Sequence, residues 1–349
     1  MSEKTKRIKW IDLVKGVGII LVIFAHTLDI NNIYGVALRG VIYSFHMPLF
    51  FILSSMTFKF SKNKKEFIEK TKKAAKHLLI PTFVSVAIMI IIRVIKAPHL
   101  VSTITFWREN LYTFIFASGS PIVFDECSVM QIGMLWFIVA LFVGRTTFDY
   151  LQFKFETKKV FAISMLISCV GYIIGASNEL ILPFSIDVAM TMMPLFYIGS
   201  KIKTDNISKT SIKRACAYGA IWAGTLLITF FPHPGKGTYF SAAYRNYPLF
   251  PICLVCAACG AIFFCIIGAF LDKKIPDNLL KPIRYIGCNS MWLLIIHNFD
   301  SEWMMLWNYD DQLLSIIARI SVDIIFFIIF MLIRYLLKKY MIHKKAIVS

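Results

Sequence analysis

The sequence predicts an all-α polytopic membrane protein, a bundle of about ten transmembrane helices, each spanning ~30 Å of hydrocarbon, with both termini cytoplasmic. Three observations carry that expectation. Hydrophobic residues make up 58% of the 349 and charged residues only 17%, and the mean hydropathy of +0.68 exceeds that of a soluble globule. The apolar residues gather into runs of roughly 18–25, the length that crosses the bilayer at ~1.5 Å per helical residue. The basic residues lie between the runs, in alternate connections.

The runs cover residues 10–29, 36–58, 78–96, 133–152, 159–176, 181–200, 212–231, 247–271, 284–299 and 315–337, and 1–349 reads as one integral-membrane domain. The first run carries His26 and has no small-residue cleavage site, so it reads as a retained span and not a signal peptide. Connections at 1–10, 59–77, 153–159, 200–214, 272–284 and 334–349 hold 29 of the 38 Lys and Arg residues; those at 29–40, 97–132, 177–180, 232–247 and 300–314 hold four. Cytoplasmic loops are the basic ones, which puts the first set and both termini inside. Asp300, Glu302, Asp310 and Asp311 then fall in the last outer loop. A net charge of +18 spread between apolar runs excludes a nucleic-acid partner, which needs a basic patch on a soluble fold. Membrane lipid is the expected partner of those lysines, and the cell (cytoplasmic) membrane the expected location.

Polar side chains are costly in hydrocarbon and point to function. His26 near the outer end of the first run, His46 about ten residues into the second and His297 near the outer end of the ninth all fall in the outer half, at ~1.5 Å per residue. One such histidine also serves as an interhelical hydrogen-bonding group worth ~1 kcal/mol; agreement in depth across three runs favours a shared site. Three imidazoles suit zinc as well, yet no His-x3-His spacing and no carboxylate pattern beyond Asp300 accompanies them, so no metal is expected. Lys15 sits ~16 Å from His26 along the first helix. It either snorkels to headgroups with Asp12 at i−3 as its partner, or holds a phosphate. Eight lysines from Lys59 to Lys76 extend this basic surface, and Lys73, Lys76 and His77, where it meets the third run, are the ligand candidates.

Other features read as structural. Cys253, Cys256 and Cys259 lie among Ala257, Ala258 and Gly260, small residues that let membrane helices approach. The cysteines sit mostly within runs and offer no disulfide framework. Arg319 and Asp323, at i and i+4, read as a mutually neutralised pair. Arg145 has no evident local partner. The outer loops carry Trp107, Asp125, Glu126, Tyr239, Tyr244, Trp303 and Trp307, suited equally to stacking on sugars and to interfacial anchoring.

The ordered set Asp12-Leu-Val-Lys15-Gly16, His26 after ten further residues, Phe45-His46-Met47-Pro48-Leu49-Phe50-Phe51-Ile52-Leu53-Ser54 and His77-Leu-Leu-Ile-Pro81 resembles acyltransferase family 3. Leu135-Trp136-Phe137, Pro194 to Gly199, and Ile286-Gly287-Cys288-Asn289-Ser290 through His297 extend the resemblance in the same order, over about residues 8 to 337, with the fucose 4-O-acetylase-like branch nearest. The resemblance implies an O-acyl, usually O-acetyl, transfer from cytoplasmic acyl-CoA (acetyl-CoA) to a hydroxyl of a cell-envelope, exported or lipid-linked saccharide. It assigns His26 as catalytic and Lys15 to the family's usual arginine. Lys73, Lys76 and His77 stand for its paired arginines before the third span, and Ser54-Ser55 for its usual Ser-Gly. Lysine keeps the charge but loses the fork that suits phosphate.

Imidazole, with a pKa near ~6.5, can take a hydroxyl proton as attack begins, or accept the acyl group and relay it. Both routes remain open for His26, with His46 and His297 as orienting or oxyanion groups. Two other classes stand beside acyl transfer. A transporter or flippase would show inverted repeats, and no convincing repeat is found. A non-catalytic sensing module is expected to be fused to a soluble domain, and the chain ends about twelve residues after its last run.

Overall fold

The computed structural model describes residues 7–124, 127–177, 181–232, 238–300 and 311–348. The chain runs through α1 (Lys9–Thr27), α2 (Ile33–Tyr43), α3 (His46–Thr57), α4 (Lys64–Lys96) and α5 (Ile104–Phe116) to a small antiparallel pair, β1 (Ile122–Phe124) and β2 (Cys127–Val129). It continues through α6 (Trp136–Lys154), α7 (Thr157–Ser177), α8 (Ile186–Thr191), α9 (Met193–Lys201), α10 (Thr204–Lys209) and α11 (Ile212–Thr229). The last elements are α12 (Ile252–Lys274), α13 (Asp277–Cys288), α14 (Ser290–Asn298) and α15 (Gln312–Val348).

The protein is an all-α polytopic membrane protein. Among the described residues seven helices are long and apolar enough to cross a membrane, α2 and α3 counting together. The remaining three runs fold as α8 with α9, as α11, and as α13 with α14. Asp125, Glu126, Glu302, Trp303, Trp307 and Asp310 lie outside the described residues.

Two kinds of helix build the bundle. α1, α3 and α12 form its interior, with Ile23, Leu49, Phe51, Ile52 and Ala261 wholly or almost wholly buried. α4, α7 and α15 surround them and turn apolar flanks outward, Ile80, Val84, Ile91 and Ile95 on α4 and Ile325, Ile328, Leu332 and Ile333 on α15. Outward isoleucines are what a helix bathed in acyl chains requires. α4 starts where its sequence says it should: Asn63 Oδ1 accepts the Glu66 N–H (2.9 Å) while Glu66 accepts the Lys62 N–H (3.0 Å), tying down helix-start donors.

α1 and α13 cross at two glycines. A Cβ on Gly287 would lie 1.8 Å from the Asp12 carbonyl oxygen, and one on Gly16 would lie 2.1 Å from that of Ile283. Only glycine permits this approach, which membrane helices use in place of a hydrophobic driving force. Lys15 is thereby fixed beside the crossing.

Three of the expected runs are broken inside: α2 and α3 part at Ser44-Phe45, α8 and α9 at Met192, α13 and α14 at Asn289. Pro48 and Pro194 stand in the first turns of α3 and α9, where a missing N–H costs nothing. The break at Ser44 is satisfied locally: its N–H donates to the Gly40 carbonyl (3.1 Å), and its hydroxyl accepts from Trp222 Nε1 (2.9 Å). Non-helical backbone is tolerated at membrane depth where it is enclosed by protein or faces a cavity. The first break lies directly beside His46, which lines one.

Candidate functional site

The C-terminal turn of α1, the α2–α3 break and the end of α14 bring three imidazoles to one chamber of about 280 Å3, lined also by Tyr43, Asp300 and Arg319. The His26 and His297 rings stand edge to face with centroids 5.9 Å apart, and Tyr43 lies 4.7 Å from His46 and 5.8 Å from His26. The Tyr43 hydroxyl and His26 Nε2 are 3.3 Å apart.

The local partners fix two of the rings. His46 Nδ1–H donates to the Ile42 carbonyl (2.9 Å), an oxygen left at the end of α2. His297 Nδ1–H donates to Asp323 Oδ2 (2.7 Å), with both side chains fully enclosed. A carbonyl or an ionised carboxylate can only accept, so each imidazole presents Nδ1–H to its partner and turns Nε2 the other way. For His297 that Nε2 is buried and has no partner among the described residues. A buried polar atom left so costs ~1–3 kcal/mol and calls for an explanation; here its ring lines a chamber.

Asp323 is therefore not the partner of Arg319, as the i, i+4 spacing suggested. Arg319 instead pairs with Asp300 through Nε (2.9 Å) and Nη2. The spacing put both side chains on one face of α15, but an imidazole N–H of α14 and a carboxylate just after it face them, His297 taking Asp323 and Asp300 taking Arg319. This exchange turns a supposed packing pair into a carboxylate behind a histidine.

A second cavity of about 340 Å3 lies toward the opposite end of α1. Lys15, His77 and Arg145 line it with Ser54, Phe58 and Ser290, and no carboxylate joins them. Asp12 is drawn to Arg7 instead (2.8 Å), which leaves Lys15 without an ion-pair partner among the described residues. Arg145 lies over the Phe58 ring, 5.1 Å from its centroid, a cation–π contact in place of the missing local partner. Lys73 and Lys76 do not line this cavity. Both are exposed on α4, Lys73 one turn before His77.

The chamber and the basic cavity meet. Val22 and Met47 line both, and His26 follows Val22 by one turn, just as His297 follows Leu294 of the basic cavity. A long ligand held by cations at one end would bring its far end among the imidazoles. Among the described residues no three His, Cys, Asp or Glu side chains are grouped to hold a metal. Cys253, Cys256 and Cys259 are buried in α12. There α12 lies so close to its neighbours that a Cβ at Gly260 would sit 2.8 Å from Phe45 and 2.9 Å from Trp222.

Sequence reasoning passed over Tyr43, Arg39 and the pairing of Asp323 with His297. The signal for Asp323 was an acid inside the apolar run that follows the one carrying His297; Tyr43, three residues before His46, carried none.

Compared with known families, residues 8–339 match the family model described as an acyltransferase domain. No curated protein and no solved structure matches the chain.

Proposed function

Since the chain belongs to acyltransferase family 3, and is a membrane acyltransferase on that ground, we propose that it moves an acetyl group from cytoplasmic acetyl-CoA to a saccharide hydroxyl. The acceptor is a cell-envelope, exported or lipid-linked carbohydrate, as in the fucose 4-O-acetylase-like branch. The protein works in the cell membrane as a bundle of about ten spans with both termini inside, the orientation that the one-sided distribution of its 38 basic residues favours. The basic cavity then opens toward the cytoplasm and the histidine chamber toward the outside.

The observation that carries this reading is the shared wall of the two cavities at Val22 and Met47. Lys15 and Arg145 supply positive charge and His77 a hydrogen-bonding ring where the coenzyme's phosphates enter, and Lys73 and Lys76 add to the approach field. The pantetheine arm runs the ~16 Å of α1 between Lys15 and His26, which sets the thioester among the imidazoles. His26 lines both the chamber and the tyrosine-rich cavity beside it, so it is the imidazole that an acceptor entering from that side meets.

In the reaction His26 takes the hydroxyl proton as the oxygen attacks the thioester carbonyl. The tetrahedral intermediate collapses with cleavage of the C–S bond, and the departing coenzyme thiolate receives that proton. While His26 is cationic, the Asp323 carboxylate behind His297 offsets the charge in a region that water does not screen. His46, with its Nδ1–H held by Ile42, orients the Tyr43 ring and through it His26.

Membrane vesicles containing the protein, supplied with labelled acetyl-CoA and envelope saccharide, test the reading, with mass spectrometry of surface polysaccharide from cells with and without the gene. Acetylated saccharide and free coenzyme are expected in equal amounts. Coenzyme release without an acylated saccharide, or full activity in His26→Ala, overturns the proposal.

A further inference from the structure

A third cavity, about 600 Å3, adjoins the chamber and shares His26, Tyr43, Ser241 and Tyr244 with it. We propose that it is the acceptor site, and that it selects saccharides bearing an anionic group, a carboxylate or a phosphate ester, near the acylated residue. This rests on the acyl-transfer reading above and adds the substrate class.

The lining has the chemistry of sugar recognition. Five tyrosines line it, Tyr43, Tyr172, Tyr239, Tyr244 and Tyr247; the Tyr247 hydroxyl is buried, and the other four offer apolar ring surface to the C–H side of a pyranose and a hydroxyl to its polar edge. Tyr43 and Tyr239 meet edge to face at 5.2 Å, making a corner and not a flat wall. Tyr244 is the most exposed of them, at 61%, at the mouth.

The charge is what narrows the class. Among the described residues two arginines and no carboxylate line the cavity. Arg245 is already neutralised: its Nε and Nη2 donate to the two oxygens of Asp187 (2.5 and 3.3 Å), and its Nη1 reaches Ser118 and Ser120. Arg39 is not. Its Nε donates to the Ala25 carbonyl and its Nη2 to that of Leu28, both at 2.9 Å, contacts that orient the guanidinium without cancelling its charge. Its carbon lies 6.0 Å from the centroid of the Tyr43 ring.

Comparison within the chain makes this unusual. Of the six arginines that are not exposed, Arg93, Arg245, Arg284 and Arg319 each hold a carboxylate. The two that hold none are Arg145, in the basic cavity, and Arg39. A neutral sugar offers no return for keeping an uncompensated cation beside a membrane-embedded site. An anion does, because a guanidinium fork matches a carboxylate or a phosphate.

The test measures binding first, so that it stands apart from turnover. The full-length protein in lipid nanodiscs is titrated with three probes: a glucuronic-acid oligosaccharide, the same oligosaccharide with its carboxylates reduced to the neutral glucose form, and a glycosyl phosphodiester of equal length. At least one anionic probe is expected to bind about tenfold or more tighter than the neutral one, the scale of a hydrogen bond to a charged group. Arg39→Gln erases that preference and Arg39→Lys retains part of it. Which anion wins tells carboxylate from phosphate. Equal binding of all three probes by the unaltered protein overturns the proposal, whatever the variants do; so does a preference that survives in a folded Arg39→Gln. Anion-selective binding without acetyl transfer leaves this site standing and removes the function proposed above. Transfer to neutral saccharide alone does the reverse.

Discussion

The two cavities that meet at Val22 and Met47 are built on opposite electrostatic plans. In the basic cavity Lys15, Arg145 and His77 stand without a carboxylate among the described residues, whereas in the chamber a carboxylate stands behind each donor, Asp323 behind His297 and Asp300 behind Arg319. An uncompensated set of cations holds a fixed anion; a neutralised set around imidazoles suits a proton that must leave and return within one reaction. On the proposed function, the difference separates holding from transforming on the two sides of one wall, and kinetics can read the two halves independently.

The sharpest way to break the comparison is to remove a chamber group. His26→Ala is expected to lower kcat by ~10²–10⁴, measured with labelled acetyl-CoA at saturating donor, while the protein inserts normally. Asp323→Asn keeps the shape but removes the charge behind His297 and should cost nearly as much, on the order of 10²; a loss confined to the donor KM would merge the two regions into one binding site. Lys15→Ala and Arg145→Gln belong to the other half. Each should raise the donor KM by about tenfold and spare kcat, and an unchanged apparent affinity for coenzyme A would sink the phosphate role. Gly287→Ala acts on both halves, because it drives α1 away from α13. Overpacking of about 1–3 kcal/mol should lower the melting temperature in detergent, with Lys15 displaced and the donor KM raised. The smallest effect is that of Cys259→Ala, expected to leave transfer unchanged, since its side chain touches neither cavity.

What was legible in the sequence was whatever follows from depth and composition. Apolar runs of bilayer length revealed the helices, and the positions of His26, His46 and His297 within them foretold one chamber. Lys15 and His77 reached a common cavity because each stands where a run begins. The breaks at Ser44-Phe45, Met192 and Asn289 were hidden, since a broken helix in a protein interior is as apolar as a continuous one. Pairing was misread for a related reason. The i, i+4 spacing of Arg319 and Asp323 says that they share a face, but not which neighbouring helix lies against that face. Likewise Asp12 stood three residues from Lys15 and was claimed by Arg7. Arg39 gave no signal, and Tyr239 and Tyr244 only an ambiguous one, because an outer-loop arginine and scattered aromatics are ordinary at a membrane surface.

The exchange of partners on α15 also bears on how that helix stays in place. Most of its surface meets lipid, which offers no reason to prefer one rotation or height over another. Two of its charged side chains, one turn apart, are each plugged into the preceding segment, Asp323 into His297 and Arg319 into Asp300. Turning or sliding the helix by a few ångströms would withdraw both pegs together and strand four ionisable groups in a medium that cannot solvate them. A helix that looks like the loosest stave of the barrel is thus keyed in register, and the lock is made from side chains at the chamber wall.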